Sequence, residues 1–354
     1  MILKRLELTN FRCITQADIE LDSGRNVIEG PNGAGKTSIL EAVFLLGSGH
    51  SFKSSAMDAL IQSSTSEFTV VGRFSDPVTS LITIGLRCSS NARETRINGE
   101  DAKGLASLAK IFPVQVIDPE IHQLLEDGPR RRRMFLDWGV FHVEQSFHES
   151  WRRFNRALKQ RNAQLKSGKS NFGVWDIELA VHGLAVTQFR QMYIQSFAAF
   201  LTDVGRRLLR AEISIEYSQG WRKNIAFSEA LTESRLRDQQ RGTTTVGPHR
   251  ADLVLKMEGN IAKDRVSRGQ QKMLACCLIL AQQLHRASLS TQSACLLLDD
   301  PAAELDVDNL GRLLDLVGEL PVQLIATTVN SANLSLFKNA KKFHVEHGSV
   351  KAVA

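Results

Sequence analysis

The N-terminal third of the chain alternates apolar and polar side chains in the two-residue pattern of strands that bury one face. The predicted strands are, in chain order, Leu3–Leu8, Ala17–Leu21, Arg25–Glu29, Phe68–Phe74, Leu81–Arg87 and Glu94–Ile97. The last strand runs into Asn98-Gly99, a pair that favours a hairpin turn. After Lys36 the apolar spacing becomes that of a helix, which Gly47 ends. This order predicts a strand, loop and helix unit with a short antiparallel sheet attached to it.

Helical spacing replaces the alternation in the middle of the chain. Arg131–Lys166 and Glu178–Arg210 have the pattern of long amphipathic helices, and Gly168–Gly173 separates them. All four tryptophans lie in this region, where we expect them to pack between helices. Apolar strands return at Ala294–Leu298 and Val322–Thr327.

These patterns predict an α/β fold in two parts. Residues 1–120 and 242–354 would form one discontinuous domain, and residues 121–241 an inserted helical arm. The arm holds 20 Lys and Arg against 13 Asp and Glu, whereas the rest holds 24 against 25. The net charge of +6 therefore comes from the arm, as expected of a module that contacts a polyanion. Solvated helix faces explain the same surplus, and charge alone does not decide between the two.

The composition argues against several classes of protein. The five cysteines are odd in number and form no CxxC pair, so neither a disulfide framework nor a zinc site is indicated. The longest apolar stretch, Met273–Ala281, is far shorter than the ~20 residues of a membrane helix. The N-terminus lacks the apolar core of a signal peptide. We expect a soluble, cytoplasmic protein.

A phosphate-binding motif lies between the third predicted strand and the helix. It consists of Gly30-Pro31-Asn32-Gly33-Ala34-Gly35-Lys36-Thr37, followed by Ser38, and matches GxxxxGK[ST] in the required place. Its glycines let backbone N–H groups turn toward phosphate oxygens at the helix N-terminus. We expect Lys36 to reach the β- and γ-phosphates of ATP, and the Thr37 hydroxyl to bind Mg²⁺.

Two carboxylates follow the apolar strand that ends at Leu298. Asp299 is the candidate for binding Mg²⁺, and Asp300 the candidate for orienting or deprotonating the attacking water. A cap for the next helix would explain one of them. Two adjacent acids at a buried strand end are costly unless a cation or a substrate uses them.

A second phosphate cradle is predicted at Ser267-Arg268-Gly269-Gln270, at the start of an apolar helix. Because the chain already has a P-loop, we expect this loop to face the γ-phosphate bound by a second subunit. With its P-loop, Ser-x-Gly-Gln loop and acidic strand in this order, the sequence resembles ABC-ATPases. Ala303-Glu304-Leu305-Asp306 resembles the loop after their second acidic motif. The resemblance implies an ABC-ATPase head with an attached antiparallel sheet and an inserted helical arm.

Within that superfamily the sequence is similar over its whole length to the RecF family, bacterial DNA replication and repair proteins that are SMC-like without a long coiled coil. The similarity rests on Leu8–Arg12, Gly30–Thr37, Ser51–Lys53, Pro119-Glu120, Gly128-Pro129 with Arg131–Arg133 and Phe135–Asp137, Gly247–Leu253, Ser267–Gln271, and Leu298–Asp300 with Glu304–Asp306. The Gly247–Leu253 segment is specific, because transporter ATPases do not carry it there.

The resemblance implies a role in recombinational repair of single-strand gaps. It also implies roles in the response to DNA damage and in the SOS response. An ATP-driven head-to-tail dimer would clamp duplex DNA near gaps and single-strand/double-strand junctions and help load recombinase. Weak, slow DNA-dependent ATP hydrolysis would release it. The implied cofactors are ATP and Mg²⁺, and the implied partners are RecR, with RecO nearby. The alternatives are a transporter ATPase subunit, which the basic arm opposes, and a module that holds ATP without hydrolysing it.

Several residues have open assignments. In SMC-like relatives the arginine of an Asn-Phe-Arg stretch contacts nucleotide, so Arg12 is expected in the ATP site, although an arginine that simply ends a strand is the alternative. The DNA-binding candidates are Arg131, Arg132 and Arg133. They would be structural if they pair with nearby acids, and the search would then pass to Arg152, Arg153 and Arg156. Gln115 and Gln123 are both candidates for the magnesium side, and His249 and Arg250 have no assigned role.

Two departures from the ABC pattern predict slow hydrolysis. The second acid is Asp300 where transporters have glutamate, which is one methylene longer. The usual histidine after the next strand is replaced by Thr327-Thr328-Val329-Asn330.

Overall fold

The structure is a computed structural model that describes residues 1–75, 81–167, 173–262, 267–303, 305–329, 337 and 339–353. The chain forms two compact units. Unit 1 consists of Met1–Ile121 and Thr291–Ala354, and unit 2 of His122–Ser290. The predicted ranges of the head and of the arm stay a prediction. The two compact units are defined only by which residues contact one another.

Unit 1 consists mostly of strands with a few helices, and unit 2 is mostly helical. The strands are β1 (Ile2–Phe11), β2 (Ile14–Glu20), β3 (Arg25–Glu29), β4 (Glu67–Ser75), β5 (Ile82–Ser89), β6 (Arg93–Ile97), β7 (Glu100–Asp101), β8 (Val114–Ile117), β9 (Ile213–Ser218), β10 (Asp252–Met257), β11 (Asn260–Ile261), β12 (Ala294–Leu298), β13 (Val322–Thr328), β14 (Lys341–Glu346) and β15 (Ser349–Val353). The helices are α1 (Lys36–Ser48), α2 (Leu105–Ile111), α3 (Gln123–Glu126), α4 (Pro129–Val143), α5 (Phe147–Lys166), α6 (Gly173–Leu209), α7 (Phe227–Arg241), α8 (Arg268–Leu289) and α9 (Val307–Glu319). Short 3₁₀ helices cover Met57–Leu60, Pro248–Arg250 and Pro301–Ala303.

Unit 1 contains two six-stranded sheets. One is antiparallel in the order β2-β1-β4-β5-β6-β7, and the other has the order β15-β14-β3-β13-β12-β8. In the second sheet only the pairing of β14 with β15 is antiparallel. Helix α1 contacts strands of both sheets, and its apolar residues join one buried cluster with theirs. This arrangement confirms the predicted combination of a P-loop sheet with an attached antiparallel sheet.

The parallel pairing brings the candidate chemistry to one sheet edge. Strand β13 pairs with β3 on one side and with β12 on the other, all in the same direction. The loops after β3 and β12 therefore leave the sheet at the same, carboxyl-terminal edge, where open α/β sheets bind their ligands. The predicted hairpin is also confirmed: Asn98 (φ 52°) and Gly99 (φ 87°) both have the left-handed backbone that a two-residue hairpin turn requires.

Unit 2 consists of helices α3 to α8 and the three-stranded sheet β11-β10-β9. The prediction of one helix over Arg131–Lys166 is wrong, because the chain leaves the helix at Glu144, whose backbone is extended (φ −122°, ψ 108°). The Glu144 carboxylate accepts the N–H of Ser146 at 3.0 Å, a local bond that competes with helix continuation and precedes the start of α5. Strand β9, which the helical pattern of the arm concealed, was not predicted. The predicted break at Gly168–Gly173 lies outside the described residues except for Gly173.

The tryptophans only partly follow the expected packing. Trp221 stacks on Phe227 with ring centroids 4.6 Å apart. Trp151, by contrast, is 38% exposed and donates a hydrogen bond to Asp137.

Candidate functional site

The P-loop has the backbone that its glycines predict. Gly30, Gly33 and Gly35 have φ values of 156°, 78° and 114°, and helix α1 begins directly after Gly35. A Cβ at Gly30 would lie 2.1 Å from the carbonyl oxygen of Val345, so no larger residue fits there. The first turn of α1 contains no acidic residue, which leaves its positive dipole end available to an anion.

The lysine of the motif lies across this loop. Lys36 is 7% exposed, and its Nζ donates to the carbonyl oxygens of Gly30 at 2.8 Å and Pro31 at 3.0 Å. Burial lowers the pKa of Lys36, while the charges of Asp300 and Asp299 oppose that shift. The ammonium group is thus held between the loop and the acidic pair.

The first carboxylate of the acidic pair faces the P-loop threonine. The Thr37 hydroxyl lies 2.9 Å from Asp299 Oδ1 and 3.1 Å from Oδ2, and the Thr327 hydroxyl donates to Oδ1 at 2.9 Å. A hydroxyl and a carboxylate side by side are the hard oxygen donors that Mg²⁺ prefers, and Mg²⁺ at phosphate sites is usually held by one or two protein ligands. These residues therefore fit the predicted metal role.

The second carboxylate has different surroundings. Asp300 has a left-handed backbone (φ 46°), and its N–H donates to the Thr327 hydroxyl at 2.9 Å. Burial raises the pKa of Asp300; Lys36 opposes the shift and Asp299 adds to it. Thr327, from the Thr-Thr-Val-Asn stretch, is thus bound to both acids. Asn330 and Glu304 lie outside the described residues.

The P-loop and the acids line one cleft of about 370 Å³. Its lining residues are Cys13, Asn32, Gly33, Gly35, Lys36, Thr37, Ser38, Lys53, Pro119, Asp299 and Asp300. Lys53, which ends the Ser51–Lys53 stretch of the family similarity, has its Nζ 3.7 Å from Asp299 Oδ2. Cys13 was not anticipated, because only the fold brings the turn after β1 next to the P-loop, with its Sγ 3.8 Å from the Ser38 hydroxyl.

Arg12 forms contacts next to this cleft. Its guanidinium donates to both carboxylate oxygens of Glu41, at 2.8 and 2.9 Å, and to the carbonyl oxygen of Ala59 at 2.8 Å. Glu41 is 1% exposed and also accepts a hydrogen bond from Ser51. The nucleotide contact expected of Arg12 stays a prediction, and the alternative role at the strand end has these contacts in its favour.

The two candidate glutamines lie in different units. Gln115 is 7% exposed and lies on β8, which pairs with the strand that precedes Asp299. Gln123 begins α3 in unit 2 and accepts a hydrogen bond from Arg131. The choice between them for the magnesium side stays open.

The Ser-x-Gly-Gln loop forms a capped helix start. Ser267 is the N-cap of α8: its hydroxyl accepts the N–H of Gln270 at 3.3 Å, and the Gln270 side chain accepts the N–H of Ser267 at 2.9 Å. This reciprocal capping box fixes the loop, while Ser267, Arg268, Gly269 and Gln270 are all exposed. The start of α8 is therefore capped and accessible, and its role as a phosphate cradle for a second subunit stays a prediction.

The arginine cluster is divided between the surface and the interior of unit 2. Arg131 is exposed and pairs with Asp127. Arg132 is 7% exposed, donates to both oxygens of Asp252 at 2.7 and 3.0 Å, and also reaches two backbone carbonyls. Arg133 donates to the carbonyl oxygen of Ala251 at 2.7 Å, and burial lowers its pKa. The DNA-binding role of the cluster stays a prediction, and it suits the exposed Arg131 better than the other two.

The Gly247–Leu253 segment, which transporter ATPases do not carry, is contacted by arginines from two helices. Arg132 and Arg133 reach it from α4, and Arg190 of α6 donates to the carbonyl oxygen of Pro248 at 2.8 Å. His249 makes a hydrogen bond from Nε2 to the carbonyl oxygen of Thr244 at 2.9 Å. Burial lowers the pKa of His249 to about 4, and Arg250 and Arg133 add to the shift. The segment therefore joins helices within unit 2.

In the part of the chain that the structure describes, no helix has the length and apolar character needed to cross a bilayer.

Known proteins resemble this chain over nearly its whole length. Residues 2–351 match the family described as RecF/RecN/SMC N terminal domain. The DNA replication and repair protein RecF of Vibrio parahaemolyticus is 40% identical over 358 residues, covering 99% of this chain and all of that protein. RecF of Aliivibrio fischeri is 38% identical over 356 residues, covering 99% of each.

Solved structures give the same result. The recombination mediator protein RecF-ATP of the RecFOR pathway has a TM-score of 0.89 and 25% identity, covering 100% of this chain and 98% of that one. An Smc head bound to the C-winged helix domain of ScpA has a TM-score of 0.63 and 17% identity, covering 100% and 97%, and shows the shared fold. With a P-loop facing a paired acid and a capped Ser-x-Gly-Gln helix on an SMC-like head, the chain belongs to the RecF family of DNA replication and repair proteins.

Proposed function

We propose that the protein is an ATP-dependent DNA-binding protein of recombinational repair, in which two copies meet head to tail with ATP between them. The observation that supports the proposal is that Lys36, Thr37 and Asp299 meet around the P-loop, while a second candidate cradle at Ser267–Gln270 is exposed and held by a capping box. A cradle of this kind gains a phosphate partner when a second copy brings its nucleotide. ATP would then stabilise the dimer by mass action.

Hydrolysis would end the dimer. In this role Lys36 would neutralise phosphate charge, Thr37 and Asp299 would hold Mg²⁺, and Asp300 would accept a proton from the attacking water. Mg²⁺ would neutralise the charge that develops on the phosphates. Burial raises the pKa of Asp300, which is the direction that makes a carboxylate a better proton acceptor. The proposal includes weak ATP hydrolysis that DNA stimulates. A measurement of the ATP hydrolysis rate distinguishes this from a module that only holds ATP.

The DNA and protein partners are inferred from the family. The relatives are named as DNA replication and repair proteins, and one structural relative as a recombination mediator of the RecFOR pathway. We infer that the dimer clamps duplex DNA near single-strand gaps through phosphate contacts that do not read sequence. RecR, with RecO nearby, would act with it in loading recombinase. Membership in the RecF family favours this function over a transporter ATPase subunit.

Sedimentation tests the proposal directly. The chain is centrifuged with ATP, with ADP and without nucleotide, each with and without duplex DNA. We expect the chain to sediment as a dimer with ATP and not with ADP or without nucleotide. Duplex DNA should likewise sediment faster with the chain when ATP is present. Lys36→Met should remove both effects, because the γ-phosphate loses its cationic partner. A dimer that forms equally with ADP, or that persists in Lys36→Met, contradicts the proposal.

A further inference from the structure

Helix α6 carries an exposed apolar stripe. Val174, Ile177, Val181 and Leu184 follow one another at intervals of three, four and three residues, and we call them the α6 seam. Their exposed fractions are 69, 66, 59 and 47%. This spacing is that of the a and d positions of a coiled coil, so the four side chains lie along one side of the helix. The other side is already packed, since Leu179, Gly183 and Val186 are buried.

A row of arginines on α5 borders the seam. Arg152, Arg153 and Arg156, the arginine row, line a cleft of about 450 Å³ together with Ala157, Val174, Trp175 and Glu178. Arg153 pairs with Glu149 at 2.6 Å, and Glu178 pairs with His182 at 3.3 Å. Among the described residues, no carboxylate lies within 4.0 Å of the guanidinium of Arg152 or Arg156. The Val174 end of the α6 seam therefore lies beside the guanidinium groups of Arg152 and Arg156, which have no carboxylate partner among the described residues.

We infer that the α6 seam and the arginine row form a docking surface for an amphipathic helix of another protein, with an apolar stripe of two heptads and Asp or Glu at its flanks. An isolated exposed aliphatic residue is ordinary on a protein surface, whereas a continuous stripe marks an interaction site. The arginines add charge complementarity, which selects an acidic partner and excludes a basic one.

Two other occupants fit less well. DNA would satisfy the arginine row through its phosphates but would leave the α6 seam in contact with water. A second copy of the chain would offer another seam, but the described acids on the same stretch of α6 already have partners. The acids in the N-terminal half of α6 are Asp176, which is bound to Arg161 and Arg235, and Glu178, which is bound to His182. The inference lies within unit 2 and does not depend on the proposed ATP-driven dimer.

Binding of synthetic helices tests the inference. The probe is a fluorescein-labelled peptide of about three heptads with Leu at a and d and Glu at e and g. Its matched control has Lys at e and g. By fluorescence anisotropy we expect the Glu peptide to bind the full chain at least about tenfold more tightly than the Lys peptide.

Variants locate the binding surface. Ile177→Glu and Val181→Glu should each weaken the Glu peptide by about tenfold or more. Leu236→Glu, on α7, is the matched control, because Leu236 is 76% exposed and lies outside the seam. Arg156→Glu should shift the preference toward the Lys peptide, whereas Arg206→Glu, at an exposed position near the end of α6, should not. Urea unfolding followed by tryptophan fluorescence checks that each variant folds.

Three outcomes overturn the inference. One is equal loss of binding in Leu236→Glu and Val181→Glu, and another is equal binding of the Glu and Lys peptides. The third is that Val181→Glu leaves peptide binding unchanged but abolishes either self-association of the nucleotide-free chain or binding of a duplex DNA probe. That result would assign the surface to a second copy or to DNA.

Discussion

Asp299 and Asp300 are neighbours in the chain, yet their surroundings give the two carboxylates different tasks. Asp299 accepts hydrogen bonds from Thr37 and Thr327, and the Lys53 Nζ lies 3.7 Å from its Oδ2. Asp300 is turned by a left-handed backbone and has a raised pKa because of burial. Asp299 is therefore placed to bind a cation, and Asp300 is placed to accept a proton.

Asp300→Asn should keep ATP binding and slow hydrolysis by at least about 100-fold, because an amide cannot accept the proton. Asparagine tolerates the left-handed backbone at this position, so the substitution removes charge without adding strain. Phosphate release measured with saturating ATP, together with ATP titration, checks both parts. The ATP dimer should also live longer. Unchanged turnover would remove Asp300 from the mechanism.

His249 predicts a pH dependence of stability. Its folded pKa of about 4 lies below the 6.5 of an unperturbed histidine, so between these values the unfolded chain binds a proton that the folded chain does not. Stability therefore falls as the pH drops from 6.5 to about 4, by about 3 kcal/mol in all. Urea unfolding across this range should show the loss, and His249→Gln should reduce its steepness. An identical slope in the variant would contradict the assignment.

Among elements, the Gly247–Leu253 segment is the joint that holds α4 and α6 together. It receives Arg132 and Arg133 from α4 and Arg190 from α6. Arg190 is itself bound to both oxygens of Asp137, at 2.8 and 2.9 Å. Arg133 and Arg190 donate to backbone carbonyls of the segment, whereas Arg132 donates to the Asp252 carboxylate.

Arg131 and Arg132 are adjacent and allow a matched comparison. Arg132→Ala removes a buried partner of Asp252 and should lower the free energy of unfolding by about 2 to 4 kcal/mol. Arg131→Ala loses a surface ion pair and should change it by a few tenths of a kcal/mol. All four tryptophans lie in unit 2, so urea unfolding followed by their fluorescence reports on this unit.

Arg131→Ala and Arg132→Ala also distinguish a role in stability from a role in DNA binding. If Arg131 binds a phosphate, Arg131→Ala should lower the magnitude of the negative slope of log K against log salt by ~0.9. A variant with an unchanged slope and normal stability would remove Arg131 from the DNA surface. Equal stability of the two variants would contradict the structural role of Arg132.

At the scale of the whole molecule, the proposed dimer makes each ATP depend on two chains. Ser267→Arg should leave ATP binding to the monomer nearly unchanged and prevent the ATP dimer, as sedimentation would measure. Ser267→Asp is the sharper variant. Aspartate keeps the N-cap oxygen but repels a phosphate, so the dimer should be lost while α8 stays capped.

Mixing variants tests whether the loop acts across the interface. A mixture of Lys36→Met and Ser267→Arg chains should regain part of the dimer, because one of the two shared sites would have an intact P-loop and an intact capped loop. Loss of ATP binding in the isolated Ser267→Arg monomer would mean that the loop serves its own chain.

The local motifs were determined by the sequence. The P-loop, the acidic strand end and the Asn98-Gly99 hairpin depend on residue types at fixed spacing. Glycine permits the left-handed backbone, and a β-strand followed by a helix positions the lysine. These are short-range effects, and the similarity to the RecF family followed from them.

What only the tertiary structure decided are the contacts between residues far apart in the chain. Cys13 and Lys53 line the nucleotide cleft because two sheets and α1 bring them there. Arg132 and Arg131 are alike in sequence, yet one faces Asp252, 120 residues away, and the other faces water. The α6 seam was concealed in a helical pattern until packing showed which apolar side was left uncovered. Burial and charge pairing depend on which elements meet, and no local pattern encodes that.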